Sequence, residues 1–471
     1  MKPIAACLIV LGTLVWFRSP MSAQDGARPA NAPASAGSSL TAATALGTYC
    51  STCHNGRMRS PSGPVLDQLD AAHIASHPEV WARAYRQLQA GAMPPAGAPR
   101  PDRVATATVL AAIEDALGAP ATRPAAEPTA AEPTSGPALA SRLAGLLWNS
   151  APDAELQREA ERSQLKDPAE IERQVRRMLA DDRAGAFVSR FFFPWLQLDG
   201  LADADPDLRY FPDYVPSLRD AMAKETELFL LSQLRDDRDL VELWSASYTF
   251  LNEQLARHYG VAGVSGAQFR RVPLPAPERA GLLGQGSVLM VTSRHQHGVD
   301  AGYTTPAKRS TWVRHHFLGA PLPNGFPGAL PVKPELPITP QTRALAAEPC
   351  GNCHRNFFPI GYALENFDPL GRWRTHDQLG PVDTSGTFVD GTPTNSVVEL
   401  RQALLQRPDA FRTTMVESLV AYTWTGTVPV AASSNQTPRN LTATTLVRAR
   451  RILRQLPEPR WSAVIAAVVR E

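Results

Sequence analysis

Cysteine is scarce in this chain, with five among 471 residues. Cys7 falls in the N-terminal stretch and the other four fall in two pentads, so no thiol is left for a disulfide or a separate metal site. Charge of one sign is also lacking. The net charge of +2 supports neither a nucleic-acid partner nor an acidic one. No apolar run reaches the roughly 20 residues that a membrane-spanning helix needs. There is no phosphate-binding loop, no nucleophile triad and no carboxylate cluster with calcium spacing. Strand-type alternation never persists, which excludes a sheet core and predicts a mostly all-α protein.

The two pentads are Cys50-Ser51-Thr52-Cys53-His54 and Cys350-Gly351-Asn352-Cys353-His354. C-x-x-C-H is the attachment pattern of a c-type haem: two thiols form thioethers to the porphyrin and the histidine ligates the iron from below. Cys50, Cys53, Cys350 and Cys353 are thus the expected attachment points of two haems, and His54 and His354 the expected iron ligands. A redox dithiol of thioredoxin type needs a βαβ context, and neither pentad has one. A four-thiolate zinc site leaves both histidines unexplained.

The N-terminus agrees with this chemistry. Lys2 precedes an apolar run, Pro3 to Phe17, too short for a comfortable span and followed by small residues up to Ala23. Residues 1–23 read as a secretory signal peptide, with an uncleaved anchor as the alternative. This predicts a periplasmic protein with no transmembrane segment in the mature chain. Residues 24–39 are small and polar and read as a flexible tether. A cytochrome c-like unit follows at 40–117. A Pro/Ala-rich linker spans 118–136, and a larger helical block takes up the rest. That block divides into a helical domain (137–272), a second haem-binding domain (273–380) and a C-terminal helical domain (381–471). The linker composition predicts a semi-extended spacer. Apolar residues at helical spacing predict helices over Pro78 to Gln89, Arg103 to Leu117, Leu139 to Trp148, Pro168 to Leu179, Ser217 to Leu234, Val398 to Gln406, Ala410 to Thr423 and Thr444 to Leu456. Pro, Asp and Gly between Gly380 and Gly391 predict short hairpins.

A low-spin c-type haem takes a second axial ligand, and methionine raises its potential. Met93, in Gly91-Ala92-Met93-Pro94-Pro95, suits the first haem because the prolines restrict the loop that presents it. Met58, His73 and His77 are its rivals, and a gap-filling core methionine is the bland reading. Trp81 and Tyr85 suit packing at the haem edge. For the second haem the candidates are His297 and His295 first, then Met290 and Met415; an open, five-coordinate iron is equally compatible. Arg372 and Arg374 suit either a propionate or a structural ion pair. Glu365 and Asn366 are distal acid–base candidates if the chain is a haem enzyme.

A series of stretches, in order, resembles the planctomycete-type cytochrome c proteins, secreted proteins in which a haem domain is flanked by helical domains of unknown function. The series includes Arg142-Leu143-Ala144-Gly145-Leu146-Leu147-Trp148, Gln174-Val175-Arg176-Arg177-Met178-Leu179, Phe191-Phe192-Phe193-Pro194-Trp195-Leu196, Glu225-Thr226-Glu227 and His258-Tyr259-Gly260. It continues through Arg279-Ala280-Gly281-Leu282-Leu283-Gly284 and Thr305-Pro306-Ala307-Lys308-Arg309 to Gly361-Tyr362-Ala363-Leu364-Glu365-Asn366-Phe367-Asp368 and Gly371-Arg372-Trp373-Arg374. The chain departs from that family at Thr304-Thr305-Pro306, where Thr-Ser-Pro is usual, and at Arg309-Ser310 in place of Arg-Gly. Residues 46–100 resemble the monohaem cytochrome c unit often joined to such proteins. The resemblance implies haem at Cys350, Cys353 and His354, and no agreed reaction. The expectation is a dihaem electron-transfer protein with a periplasmic redox partner, itself possible as another secreted oxidoreductase. The alternatives are a peroxidase-like dihaem oxidoreductase with an open second iron, and a docking subunit of a secreted redox complex.

Overall fold

In a computed structural model of the chain, the structure describes residues 41–57, 65–67, 71–119, 135–293, 304–321, 338–347, 358–377, 380–429, 438 and 440–471. The expected leader (1–23) and tether (24–39) lie outside the described residues, as do linker residues 120–134. Cys350, Cys353, His354, His295 and His297 lie outside them too. The fold is mostly helical, and the strands among the described residues form three two-stranded ribbons.

The N-terminal helices follow from caps and spacing. Helix α1 (Ala42–Tyr49) starts where Thr41 Oγ1 accepts the Thr44 amide at 3.2 Å. Helix α2 (Pro78–Gln89) opens on a proline, whose missing N–H costs nothing in a first turn. It buries Trp81, Ala82, Tyr85 and Arg86. Helix α3 (Arg103–Gly118) is capped by Asp102, which accepts the Ala105 amide at 2.8 Å. Its buried Ala105, Val109, Ile113 and Leu117 recur every fourth residue, making one apolar stripe. Helices α1 and α2 both pack on α3.

The larger block begins with α4 (Gly136–Trp148) and α5 (Pro168–Ala180). A π-helical turn follows at Val188–Phe192. Pro194 lies just beyond it; a proline inside a helix removes one ladder bond and pushes back the carbonyl four residues earlier, which a wider turn accommodates. That turn brings Phe187, Phe191, Phe192 and Trp195 into the main core, with rings 5.1–6.3 Å apart from Phe187–Phe191 to Phe191–Trp195. Helix α6 (Pro216–Arg235) leads to strand β1 (Tyr248–Leu251), helix α7 (Glu253–Tyr259) and strand β2 (Arg270–Pro273), which pairs antiparallel with β1. Helices α8 (Gly286–Ser293), α9 (Pro306–His316), α10 (Ile338–Ala347) and α11 (Pro359–Tyr362) bracket the second pentad's surroundings. The hairpins expected near Gly380 are present as His376–Asp377 with Gly380–Pro381 and Gly386–Thr387 with Pro393–Thr394. Helices α12 (Val397–Leu405), α13 (Pro408–Thr425), α14 (Ala443–Gln455) and α15 (Trp461–Arg470) end the chain. No helix among the described residues is long and apolar enough to cross a membrane.

The N-terminal helices share their core with the C-terminal end of the chain. Ala443 and Leu446 of α14 are buried in the same cluster as Leu46, Trp81, Tyr85, Val109 and Ile113. Beside that cluster the Arg86 guanidinium is ion-paired with Glu417 of α13, both side chains buried. Arg86 Nε donates to Glu417 Oε2 at 3.1 Å and Nη2 donates to the Thr442 carbonyl at 3.0 Å.

Candidate functional site

The first pentad follows directly on α1. Cys50 caps that helix, and the chain then turns so that the Cys53 and His54 amides donate to the Cys50 carbonyl at 3.1 and 2.8 Å. This tight turn puts both thiols and the imidazole on one short stretch of backbone. Cys50 is half-buried, Cys53 is exposed, and both are free thiols. Burial, then the neighbouring Cys53, pushes the Cys50 thiol above its ordinary range. A reactive redox thiol has the opposite shift.

Met93 lies in the loop after α2. The chain leaves that helix through Gly91, at φ +72°, where a side chain is strained and a Cβ would also press on the Arg407 guanidinium at 3.1 Å. The Ala92 and Met93 amides both fold back onto the Gln87 carbonyl, at 2.9 and 3.2 Å, and Arg100 donates to the Gly91 carbonyl at 2.9 Å. The thioether is therefore carried on a loop held at three points and is itself half-buried. Because α1 and α2 both rest on α3, the pentad and the Met93 loop belong to one small helical unit. Trp81 is fully buried in it, and its indole Nε1 has no hydrogen-bond partner among the described residues. An indole N–H left unpaired in a core is costly, and an anionic carboxylate of a porphyrin is a fitting acceptor. Paired thiols on a turn, a histidine, a held methionine and an unpaired buried donor fit a c-type haem. Of the rivals to Met93, His73 and His77 lie near Trp81, with His73 ring centres 5.1 Å from His77 and 6.0 Å from Trp81; Met58 lies outside the described residues.

The second pentad lies outside the described residues, but the segments that bound it meet on one buried carboxylate. Glu365 follows α11, eleven positions after His354. Arg309 of α9 is ion-paired with it at 3.2 Å and also donates to the Leu364 carbonyl at 2.5 Å. Thr304 donates to Glu365 Oε2, and Thr339 of α10 does so at 2.9 Å. Arg309 Nη2 donates to Ser293 Oγ at 2.9 Å, and Thr305 donates to the Ser293 carbonyl at 3.3 Å. Tyr362 donates to Thr342 of α10 at 3.0 Å. Ser293 and Thr304 are the two ends of the stretch that carries His295 and His297. Helices α10 and α11 bound the stretch that carries Cys350, Cys353 and His354. All four ends are thus tied to the Glu365–Arg309 pair and its neighbours. Burial pulls the Arg309 guanidinium down to about 10, with Glu365 opposing, so it stays charged at neutral pH.

The arrangement decides several expectations. Arg374 Nε donates to the Glu365 carbonyl at 3.0 Å, and its Nη2 lies 3.6 Å from the Glu365 carboxylate. Arg372 Nε donates to His258 Nδ1 at 3.2 Å. Both arginines therefore have structural partners. Glu365 is engaged by two arginines and two threonines, which suits a fold-holding role better than proton exchange with a substrate. Met290 and Met415 are fully packed core residues in separate clusters.

A second buried network joins four of the sequence stretches that carried the resemblance. Glu225 of α6 accepts Thr249 Oγ1 at 2.6 Å and Tyr259 Oη at 2.7 Å, while the Gly286 amide donates to the Tyr259 oxygen at 2.7 Å. The Arg279 guanidinium lies 3.8 Å over the Tyr259 ring and donates to the Gly284 and Gly371 carbonyls at 3.1 and 2.6 Å. His258 is bonded through Nε2 to the Leu370 carbonyl at 2.8 Å; since Nδ1 accepts from Arg372, Nε2 carries the proton. Desolvation pushes Glu225 up to about 7 and pulls His258 down to about 4. Nothing in the sequence alone marked Glu225 as a hub: its partners lie 24 to 61 positions away.

Comparisons with known proteins fall on the two sides of this network. The model of PSD4, a protein of unknown function (DUF1592), matches residues 135–261, which contain Glu225, Thr249, His258 and Tyr259. The model of PSCyt3, a protein of unknown function (DUF1588), matches residues 279–377, which contain Arg279, Gly286, Arg309 and Glu365. No curated protein and no solved structure matches the chain. The chain therefore carries, one after the other and joined by a buried polar seam, stretches similar to these two families of unknown function, which is consistent with the resemblance to planctomycete-type cytochrome c proteins.

Proposed function

We propose that this protein is a periplasmic dihaem c-type cytochrome that acts in electron transfer. The observation that carries the reading is the first unit: a C-x-x-C-H turn closing α1 and a methionine loop closing α2, packed on one helix beside an unpaired buried indole N–H. In that unit Cys50 and Cys53 would hold the porphyrin, and His54 and Met93 would ligate its iron. Cys350, Cys353 and His354 would hold a second haem, with His297 or His295 as the further iron ligand. A c-type haem iron supplies one-electron oxidation and reduction, and a methionine ligand raises the potential at which it does so. The protein's part is to exclude water, fix the ligands and keep the surrounding charges paired. The Glu365–Arg309 pair supports the assignment of a histidine opposite His354, because it ties both ends of the 294–303 stretch to the residues that follow the second pentad.

Absorption and electron paramagnetic resonance of the exported, oxidised protein test this. Two haems per chain, both low-spin, are expected. A high-spin ferric fraction that shifts on adding peroxide or cyanide would favour the peroxidase-like alternative instead. The Met93→Ala variant is expected to lose the near-infrared methionine–iron band and to show a lower potential for one haem. Survival of that band would assign the ligand to another residue.

A further inference from the structure

A small cleft, partly open to solvent, lies where α2 meets the larger block. It is lined by Arg86 of α2, by His315 and His316 at the end of α9, by Gln197, and by Thr414 and Ser418 of α13. Nothing in the proposed electron-transfer chemistry uses it.

Two lining side chains are buried and each has a polar atom without a partner among the described residues. His316 is 4% exposed, and its Nε2 is unpaired. Arg86 is also 4% exposed; its Nε and Nη2 are taken by Glu417 and the Thr442 carbonyl, and its Nη1 is unpaired. Buried polar atoms are nearly always satisfied, so two such atoms on one cleft point to a missing partner. The His316 ring is fixed by Trp195 and Trp312, whose ring centres lie 5.0 and 4.7 Å away, so it has little freedom to seek one elsewhere.

The chemistry of the partner follows from the lining. A guanidinium N–H only donates, and the partner must accept from it. The one carboxylate at Arg86, Glu417, is engaged by Arg86 and by Thr445 at 2.9 Å. A metal cation would sit against the Arg86 guanidinium, with no acidic residue among the described residues that line the cleft. We infer that this cleft binds a small oxyanion, held by Arg86 Nη1 and His316 Nε2 from opposite sides of the seam between the first unit and the larger block.

Calorimetric titration of the full, haem-loaded chain with inorganic phosphate tests the inference. Saturable binding is expected, with sulfate and acetate competing and a cation such as choline silent. His316→Phe keeps the ring between the two tryptophans and removes the nitrogen, and is expected to weaken phosphate about ten-fold, the loss of one charge-assisted hydrogen bond. His316→Gln, which keeps a donor, should recover most of that. If His316→Phe fails to fold, phosphate should instead protect His316 of the wild-type chain from diethyl pyrocarbonate, and no protection would overturn the inference. No saturable phosphate binding by the wild-type chain overturns the inference, as does equal binding by the variants. Binding of zinc in phosphate-free buffer that His316→Phe abolishes would assign the cleft to a cation and overturn it too.

Discussion

Replacing Glu417 with alanine is expected to destabilise the protein by about 3–5 kcal/mol, read from the midpoint of chemical denaturation at constant slope. The substitution leaves the Arg86 charge buried and without its carboxylate. Arg86 would keep only the Thr442 carbonyl, at 3.0 Å, and Thr445 would lose an acceptor at 2.9 Å. Removing one partner of a buried pair costs far more than removing both, so Arg86→Met with Glu417→Leu should recover much of the loss. The double variant also checks the cause, since lost packing alone would make the two substitutions add. A loss below about 1 kcal/mol, the scale of a surface pair, would show that α2 does not stay against α13 in solution.

Glu225 is expected to make the protein less stable as pH rises. Its carboxyl is pushed up to about 7 by burial, against 4.5 as a free group. Between those values the folded chain holds a proton that the unfolded chain has released, so stability falls through that window and is flat on either side. A difference of about 2.5 units corresponds to about 3 kcal/mol at roughly 1.4 kcal/mol per unit. Denaturation midpoints measured from pH 4 to 8 should show that decline in the wild-type stability taken relative to Glu225→Gln. Glu225→Gln is neutral throughout and should remove it, while keeping an oxygen for Thr249 or Tyr259. A wild-type slope that persists in Glu225→Gln would place the titrating group elsewhere. His258, held down to about 4 by burial against 6.5 as a free group, acts with the opposite sign over the overlapping window from 4 to 6.5, where charging it works against the fold, so the Glu225 contribution is read from the difference between the wild type and Glu225→Gln.

Much of the helical framework was legible in the sequence. The stripe at Ala105, Val109, Ile113 and Leu117 and the proline-led starts of α2 and α5 are local patterns, and helices occur there within one residue of the expected bounds. Several elements escaped, among them α1, the short helices α7 to α11, α15 and the two strands of the first ribbon. Helix α15 (Trp461–Arg470) reads as a continuous apolar run, because it is buried on most of its surface and shows little alternation to detect. Strands β1 and β2 are separated by a helix, so no turn signal links them. Arg309 sits in the middle of a buried helix and carries no pattern of its own; its meaning comes from Glu365, 56 positions on.

The sequence by itself determined what depends on a few neighbouring residues: two C-x-x-C-H pentads whose spacing suits one covalently held haem each, a methionine loop with restricting prolines, and the helices. Thioether attachment and helix formation both act over a span of four or five positions. Tertiary structure alone decided which distant charges share a low-dielectric interior. Arg86 with Glu417, Arg309 with Glu365 and Glu225 with Tyr259 are pairings across 34 to 331 positions, chosen because a buried charge or carboxyl must find a partner wherever packing places one.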